Sequence, residues 1–161
     1  VRQSGDHAMS APAAFEPRDP DYANRCRESL AHQPAMAEML GARMVDVQPG
    51  YTEITLPIAR HTLQQGGMVH GGLIGMLADS AAGYAALSLM APGLDVVTVE
   101  YKINFLAPAF GEQLIGRGRV VRPGRTLFVC EADIYAVASG KETHVARMGT
   151  TMMAIADSKK H

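Results

Sequence analysis

The amino-acid sequence predicts an α+β fold in which one antiparallel sheet of six strands wraps around a single long helix. The first observation is an apolar segment at residues 71–90, which has the length and composition of a buried helix. The second is that four strand-like segments follow this helix and two precede it. Consecutive strands joined by hairpin turns pair antiparallel, so this order of elements favours a wrapped antiparallel sheet over βαβ winding.

The part of the chain before the long helix contains one helical segment and two strands. Residues 21–40 have helical apolar spacing, with a break expected at Pro34. Strands are predicted at residues 42–47 and 52–58, on either side of a Pro-Gly turn, because apolar and polar residues alternate in the second of them. Residues 60–69 are expected to form the loop that leads into the long helix.

Four predicted strands follow the long helix and are separated by turns that contain Pro or Gly. These strands span residues 96–106, 112–122, 126–137 and 143–155. Residues 1–19 are rich in Ala, Pro, Ser and charged residues. We therefore expect a flexible N-terminal arm at residues 1–19 and a single domain at residues 20–157.

The composition narrows the functional classes. The chain of 161 residues has 47% hydrophobic and 19% charged residues and a formal net charge of -1, so no overall basic field favours nucleic-acid binding. The long apolar segment contains Asp79 and many Gly and Ala residues, which makes it a poor membrane span. Cys26 and Cys130 lie far apart and outside any metal-binding spacing, which indicates apolar filler residues in a reduced, cytoplasmic protein.

The start of the long helix combines two features of an acyl-transfer site. A glycine-rich turn that contains His70 opens directly into the helix at Gly71. The first amides of a helix are free donors at its positive dipole end and can hold a developing oxyanion. Asp79 is the one acidic residue of this apolar segment, and burying a carboxylate is costly unless it has a partner or a chemical role. Asp79 is therefore a candidate catalytic residue; the alternative is that it caps a neighbouring loop or forms a buried salt bridge.

The spacing of Gly71 and Asp79 predicts an assembly if both residues act on one substrate. They are eight residues apart, which corresponds to about 12 Å along a helix axis and about 80° around it. One reacting carbonyl needs a donor and a catalytic carboxylate that are both close to it. A single helix does not easily place both there, so we expect two antiparallel copies of the helix, related by a two-fold axis, to share two sites.

Two further features leave more than one interpretation open. His70 could take part in catalysis, or it could shape the turn through a hydrogen bond; no second His or acid stands three or four residues away, so no metal site is predicted.

Four arginines lie around a Pro-Gly turn, namely Arg117, Arg119, Arg122 and Arg125. Such a cluster could bind phosphates through its forked guanidinium donors, or it could be a solvated edge strand.

At these residues the sequence resembles a known family. The pattern Gln64-x-x-Gly67-x-x-His70-Gly71-Gly72, then six residues, then Asp79, is similar to the signature of hotdog-fold acyl-CoA thioesterases. The nearest group is the phenylacetic-acid-degradation type, which includes the thioesterase superfamily member 2 type. The segment VTVEYKINFLAPA at residues 97–109 also resembles the long strand of that group, and the likeness covers about residues 40–155.

The resemblance implies roles for individual residues. Asp79 matches the catalytic carboxylate of the family, and Gly71 matches the residue whose backbone N–H polarises the thioester carbonyl. Gln64 stands where many members have Asn, and Thr98 stands where some members have a Ser that positions water. His70 and Gly72, beside Gly71, are assigned with Arg122 and Arg125 to substrate binding.

The resemblance also implies a hotdog fold, a homodimer or dimer of dimers with sites at the subunit interface, and no metal or redox cofactor. The expected reaction is hydrolysis of an acyl-CoA, with aryl or medium-chain acyl groups as first candidates, to a free acid and coenzyme A. Asp79 would act as a general base or as a nucleophile. The alternatives are a non-catalytic acyl-CoA binding protein and a hotdog dehydratase, which would need a paired His and Asp.

Overall fold

The computed structural model of the chain describes residues 15–157 and has the predicted architecture. Six strands form one sheet, and one long helix packs on a face of it. In chain order, the elements are helix α1 (Tyr22–Ala31), a π-helical turn (Pro34–Met39), strands β1 (Arg43–Gln48) and β2 (Tyr51–Pro57), a 3₁₀ turn (Arg60–Thr62), helix α2 (Gly71–Leu87) and strands β3 (Leu94–Phe105), β4 (Gln113–Pro123), β5 (Leu127–Ala138) and β6 (Lys141–Ala156).

The sheet has the strand order β1-β2-β4-β5-β6-β3, and all neighbouring strands are antiparallel. Helix α2 lies against β2, β3, β4, β5 and β6, so the sheet wraps around it as predicted. Strand β3 follows α2 directly in the chain but pairs with β6, which places β3 at an edge of the sheet. This free edge of the sheet, one of two, is therefore next to the helix that carries the candidate site.

Two glycines of β4 allow α2 to approach the sheet closely. A Cβ atom on Gly118 would overlap the carbonyl group of Ala81, and a Cβ atom on Gly116 would lie 2.8 Å from the Cγ atom of Leu77. The hydroxyl group of Thr52 on β2 donates a 2.7 Å hydrogen bond to the Ala81 carbonyl. These contacts hold the middle of α2 at a fixed height above the sheet.

The predicted helix over residues 21–40 is divided in the structure. Helix α1 ends at Ala31, and the π-helical turn begins at Pro34. Gln33, between them, has an extended backbone with φ -89° and ψ 102°. The reason is that the proline ring disfavours the helical conformation of the residue before it.

Arg25 links α1 to the C-terminal end of α2 through hydrogen bonds, which we call the Arg25 clamp. Its guanidinium group donates hydrogen bonds to the carbonyl oxygens of Leu87, Met90 and Ala91 at 2.8, 2.9 and 3.0 Å. It also forms a 3.0 Å ion pair with Asp19. A cation is favourable at a helix C-terminus because the terminal carbonyl groups there lack helical partners. This clamp determines where the end of α1 lies relative to α2.

Part of the predicted N-terminal arm packs on the domain. Phe15 contacts the hydrophobic core, and its ring lies so close to Gly50 that a Cβ atom on Gly50 would be 2.6 Å from it. Asp19 is buried in its ion pair with Arg25. Residues 1–14 of the arm lie outside the described residues.

The face of the sheet that points away from α2 carries a network of charged side chains. Asp133 is fully buried there, and it receives hydrogen bonds from Arg119 and Arg147 at 2.7 to 3.1 Å. Arg117 pairs with Glu53 and Glu142 at 2.8 and 2.7 Å. Two of the four clustered arginines, Arg117 and Arg119, are therefore engaged in ion pairs within the chain.

Candidate functional site

A histidine caps the first turn of α2. The Nδ1 atom of His70 accepts a 2.9 Å hydrogen bond from the backbone N–H of Gly72, so His70 shapes the helix start, which was one of its two predicted interpretations. An accepting Nδ1 atom requires a neutral ring with its proton on Nε2. The N–H of Gly72 is occupied by this cap, whereas the N–H of Gly71 has no hydrogen-bond partner within residues 15–157. Gly71 therefore supplies the free donor of this turn.

Asp79 lies two turns further along α2 and contacts strand β3. Its Oδ1 atom accepts a 2.7 Å hydrogen bond from the hydroxyl group of Thr98. The Oγ1 atom of Thr98 is also 3.5 Å from the sulfur of Met152. Asp79 forms no ion pair within the described part of the chain, so the alternative of a buried salt bridge finds no partner there.

Helix α2 and strand β3 face each other in a regular manner. Helix residues spaced by four lie opposite inward-facing side chains of the strand, and the strand runs in the opposite direction to the helix. The facing pairs are Gly71 and Phe105, Gly75 and Tyr101, Asp79 and Thr98, and Gly83 and Val96. Because three of these four helix positions are glycines, side chains of β3 approach the backbone of α2, and Asp79 is the one side chain that α2 contributes to these four pairs.

Two separate clefts hold the four predicted catalytic residues. The first, called the carboxylate cleft, has a volume of about 320 Å³ and contains Asp79, Thr98 and Tyr84 in its walls. The second, called the amide cleft, has a volume of about 390 Å³ and contains Gln64 and Gly71. One subunit therefore brings together Asp79 with Thr98, and Gln64 with Gly71, but not the two pairs.

The free edge beside these clefts carries large exposed apolar side chains, interspersed with polar ones such as Glu100 and Lys102. Val97, Val99, Tyr101 and Phe105 of β3 are large side chains that remain 38% to 55% exposed. Long, exposed apolar edge strands are uncommon in isolated subunits because they offer unpaired backbone groups to another chain. This edge has the properties of a pairing surface.

Comparison with known proteins identifies the family. The profile of the Thioesterase superfamily matches residues 66–143. A thioesterase family protein from Silicibacter pomeroyi has a crystal structure that is 46% identical in sequence, with a TM-score of 0.82, covering 84% of this chain and 99% of that chain. This chain belongs to the thioesterase superfamily. The predicted resemblance and the predicted fold class are both confirmed.

Two comparisons with one Escherichia coli member of the superfamily agree with this assignment. Acyl-coenzyme A thioesterase PaaI is 31% identical over 101 residues, which are 62% of this chain and 70% of that protein. The structure of the E. coli PaaI protein from the phenylacetic acid degradation operon has a TM-score of 0.72 and 26% identity, covering 83% of this chain and 94% of that chain. The superfamily match includes Gly71, Asp79 and Thr98, whereas Gln64 lies two residues before it.

The two remaining arginines of this thioesterase superfamily member lie away from both clefts. Arg122 is exposed at the end of β4, and Arg125 is exposed in the turn before β5. Neither forms an ion pair with another residue in the described range 15–157. Their guanidinium groups are available to an external anion, but one subunit does not bring them to Asp79 or Gly71.

Sequence reasoning did not place the other residues that line the clefts. Tyr84 lies in the carboxylate cleft and Phe105 in the amide cleft. Gln33, from the end of α1, also lines the carboxylate cleft. The helical spacing of Tyr84 from Asp79 is a weak signal that could have found it. No local signal points to Gln33, because the clamp of Arg25 on α2 is a long-range contact.

No helix within residues 15–157 is both long enough and apolar enough to cross a membrane. No three His, Cys, Asp or Glu side chains in that range gather where they could hold a metal ion. Cys26 and Cys130 are free and buried, and burial raises the pKa of each thiol to about 12.

Proposed function

We propose that this chain hydrolyses acyl-CoA thioesters to a carboxylic acid and coenzyme A. The observation that carries the proposal is the hydrogen-bonded pair of Asp79 and Thr98 in the wall of a cleft, on a helix whose first amide is free. The names of two relatives support the substrate class: acyl-coenzyme A thioesterase PaaI, and acyl-coenzyme A thioesterase 13 of Pongo abelii, which is 30% identical over 101 residues.

The proposed chemistry assigns one step to each residue. The Gly71 amide donates to the thioester carbonyl oxygen and stabilises the negative charge that develops on it. Asp79 removes a proton from a water molecule that attacks the carbonyl carbon, or its own oxygen attacks that carbon. The Thr98 hydroxyl holds the carboxylate in place. The C–S bond then breaks, and the thiolate of coenzyme A takes up a proton. If water attacked, the acid leaves directly; if Asp79 attacked, water hydrolyses the resulting mixed anhydride, which releases the acid and restores the carboxylate.

The proposed active unit is a two-fold dimer, which can pair further into a dimer of dimers. Each site would combine the carboxylate cleft of one subunit with the amide cleft of its partner, including Gln64 beside the carbonyl group. Two observations support this: the clefts are separate within one chain, and the edge of β3 carries large exposed apolar side chains and is unpaired. Antiparallel β3 edges would pair and bring two α2 helices side by side.

The test is release of free thiol from a panel of acyl-CoA esters by the purified protein. The proposal is supported if the wild type releases thiol and if Asp79→Asn reduces the rate at least about 10²-fold. Asparagine keeps the shape of the side chain but cannot accept the proton. Asp46→Asn, which changes a half-buried acid of β1 that lines neither cleft, is the matched control and should keep wild-type activity. Tight binding of the esters without thiol release would instead indicate a non-catalytic acyl-CoA binding protein.

A dehydratase is a weaker candidate in this geometry. That chemistry needs a paired His and Asp, and the ring of His70 is occupied by the N–H of Gly72 at the start of α2.

A further inference from the structure

The edge strand β3 carries opposite charges on the two sides of Tyr101. Glu100 and Lys102 are exposed, and they lie on the face of the sheet away from α2, because Tyr101 between them points toward α2. The Glu100 carboxylate accepts a 2.6 Å hydrogen bond from the hydroxyl group of Thr151. The Lys102 ammonium group donates a 2.5 Å hydrogen bond to the side-chain oxygen of Asn104. Neither charge forms an ion pair within residues 15–157.

Symmetry limits how two β3 edges can pair. In an antiparallel pair of strands, residues directly opposite each other point to the same face of the sheet. If the two strands are identical and related by a two-fold axis, the numbers of two opposite residues therefore add up to an even number. Every such register places one residue of β3 directly opposite its own copy, so only that residue needs to be identified.

Charge selects the register near the middle of β3. If Lys102 were on the axis, two ammonium groups would face each other, and if Glu100 were on the axis, two carboxylates would. Like charges directly opposite each other destabilise a strand pair, whereas opposite charges stabilise it. With Tyr101 on the axis, Glu100 lies opposite Lys102 of the partner subunit, and the symmetry repeats this pair once. This register alone among the three converts both charges into ion pairs.

Helix α2 indicates the same centre. The proposed shared sites place Asp79 opposite Gly71 of the partner subunit, so Gly75, midway between these positions, lies nearest to the axis. The β3 residue beside Gly75 is Tyr101, whose hydroxyl oxygen lies 4.0 Å from the position of a Cβ atom on Gly75. The side chain of Tyr101 is 51% exposed in one subunit. It therefore has surface left to bury against a second chain.

We propose that two copies of this chain pair along β3 with Tyr101 on the two-fold axis, and that Glu100 and Lys102 form two ion pairs between the subunits. The helix argument rests on the proposed function, because it assumes shared sites; the charge argument does not. The two sites lie on either side of the pair of Tyr101 side chains, about 12 Å apart along α2. Tyr101 is then part of the wall between them.

A single engineered cysteine tests the register. Directly opposite residues of an antiparallel pair have Cα atoms about 4.5 to 5.5 Å apart, which is within the range of about 4.4 to 6.8 Å that a disulfide needs. Tyr101→Cys should therefore form a covalent dimer on mild oxidation, seen on a non-reducing gel. Lys102→Cys is the matched control, because residue 102 and its copy would be about 8 Å apart and should not be linked. The native thiols of Cys26 and Cys130 are buried and should not react.

Charge reversal tests the ion pairs without a disulfide. Glu100→Lys alone places ammonium groups opposite each other, and Lys102→Glu alone places carboxylates opposite each other, so each variant should raise the dimer Kd about tenfold. When the two variants are mixed, opposite charges face each other at both positions, and mixed dimers should form with a Kd near that of the wild type. Glu38→Lys, at an exposed acid outside β3, should leave the Kd unchanged. Analytical ultracentrifugation measures these values, and melting curves show that the variants are folded.

The register and the thioesterase function fail in different ways. Absence of a covalent dimer from folded Tyr101→Cys, or mixed dimers that are no tighter than those of Glu100→Lys alone, would overturn the register. Thiol release by the wild type would then still support the thioesterase function. If Tyr101→Cys forms the covalent dimer and the wild type releases thiol from no ester, the register stands and the thioesterase function is overturned.

Discussion

The hydroxyl group of Thr98 donates a 2.7 Å hydrogen bond to the Oδ1 atom of Asp79, and this bond joins the middle of α2 to the edge strand β3. It gives the lone acid of an apolar helix a neutral hydrogen-bond partner. Because Thr98 lies on β3, the bond also fixes the position of Asp79 relative to the strand that is expected to pair with a second subunit. Several properties of the protein depend on this pair.

The first prediction concerns Thr98 itself. Thr98→Val keeps the shape of the side chain but removes the donor, so the Asp79 carboxylate loses its orientation and kcat should fall about 10-fold or more. Thr98→Ser keeps the hydroxyl group and should retain activity within about threefold. The measurement is steady-state thiol release with both variants. Equal activity of the Val and Ser variants would remove this hydrogen bond from the mechanism.

The second prediction concerns sharing of sites between subunits. Asp79→Asn and Gly71→Val should each be inactive; a Cβ atom at position 71 would lie 3.1 Å from the ring of Phe105, so valine crowds the helix start. In a mixed dimer, one site combines the intact Asp79 of one chain with the intact Gly71 of the other. Random exchange of equal amounts should therefore restore about a quarter of wild-type activity.

The complementation requires proof that subunits exchange. Tagged chains co-purified from the mixture provide it, and the recovered activity should follow the fraction of mixed dimers. Mixed dimers that remain inactive would mean that each site lies within one chain.

The third prediction concerns binding of coenzyme A by Arg125, which is exposed and unpaired among the described residues. The phosphates of coenzyme A are far from the thioester, so contacts to them contribute almost equally to ground-state and transition-state binding. Arg125→Ala should raise KM about three- to tenfold with little change in kcat, and Arg122→Ala should have a smaller effect.

A truncated substrate separates the phosphate contact from other effects of the substitution. With a pantetheine thioester, which lacks the nucleotide phosphates, the increase in KM should largely disappear. Salt should also weaken it. Arg43→Ala, at another exposed arginine, is the control. If the full ester and the pantetheine ester respond equally to Arg125→Ala, the phosphates are bound elsewhere.

The fourth prediction concerns packing of α2 on the sheet. Gly118→Ala places a Cβ atom where the Ala81 carbonyl lies, so the helix and the sheet must separate, and the free energy of unfolding should fall by about 3 kcal/mol or more. Gly149→Ala, on β6, meets no atom within 4 Å of the added Cβ and should change stability by less than about 1 kcal/mol. Urea denaturation measures both. Similar losses in the two variants would contradict the close approach.

The fifth prediction concerns acid stability and the network around Asp133. Burial alone would raise the pKa of this carboxyl group, but the hydrogen bonds from Arg147 and Arg119 outweigh burial and hold the pKa below its ordinary value. A carboxyl group whose pKa is lower in the folded state than in the unfolded state stabilises the fold at pH values above its unfolded-state pKa. This stabilisation is lost as the pH falls through the folded-state pKa.

The free energy of unfolding should therefore fall as the pH is lowered from about 5 to about 2. Arg147→Met removes one donor and lets burial raise the pKa of Asp133, so the same pH change should cost the variant less stability. Arg122→Met, at an exposed arginine without an ion pair in the described range, should behave as the wild type. Identical pH dependence in wild type and Arg147→Met would contradict the lowered pKa.

Much of the fold could be predicted because its signals are local. The apolar segment from Gly71 and the alternation in β2 and β5 depend on the periodicities of helices and strands, which are visible within a few residues. The break before Pro34 and the helix start after His70 follow from the conformational limits of proline and of helix termini. The spacing of Gly71 and Asp79 is also a local property, because both lie on one helix. From it we predict that one helix does not complete the site.

The sequence by itself therefore determined the order of the elements, the thioesterase family resemblance and the residues proposed to do the chemistry. Only the tertiary structure decided that β3 lies at the edge of the sheet, that the clefts of Asp79 and Gly71 are separate, and that Gln33 reaches the first of them. It also decided that Arg117 is paired, while Arg125 has no ion pair within residues 15–157. These features depend on contacts between residues distant in the chain, and no local periodicity encodes which distant side chains meet once helix and sheet have packed.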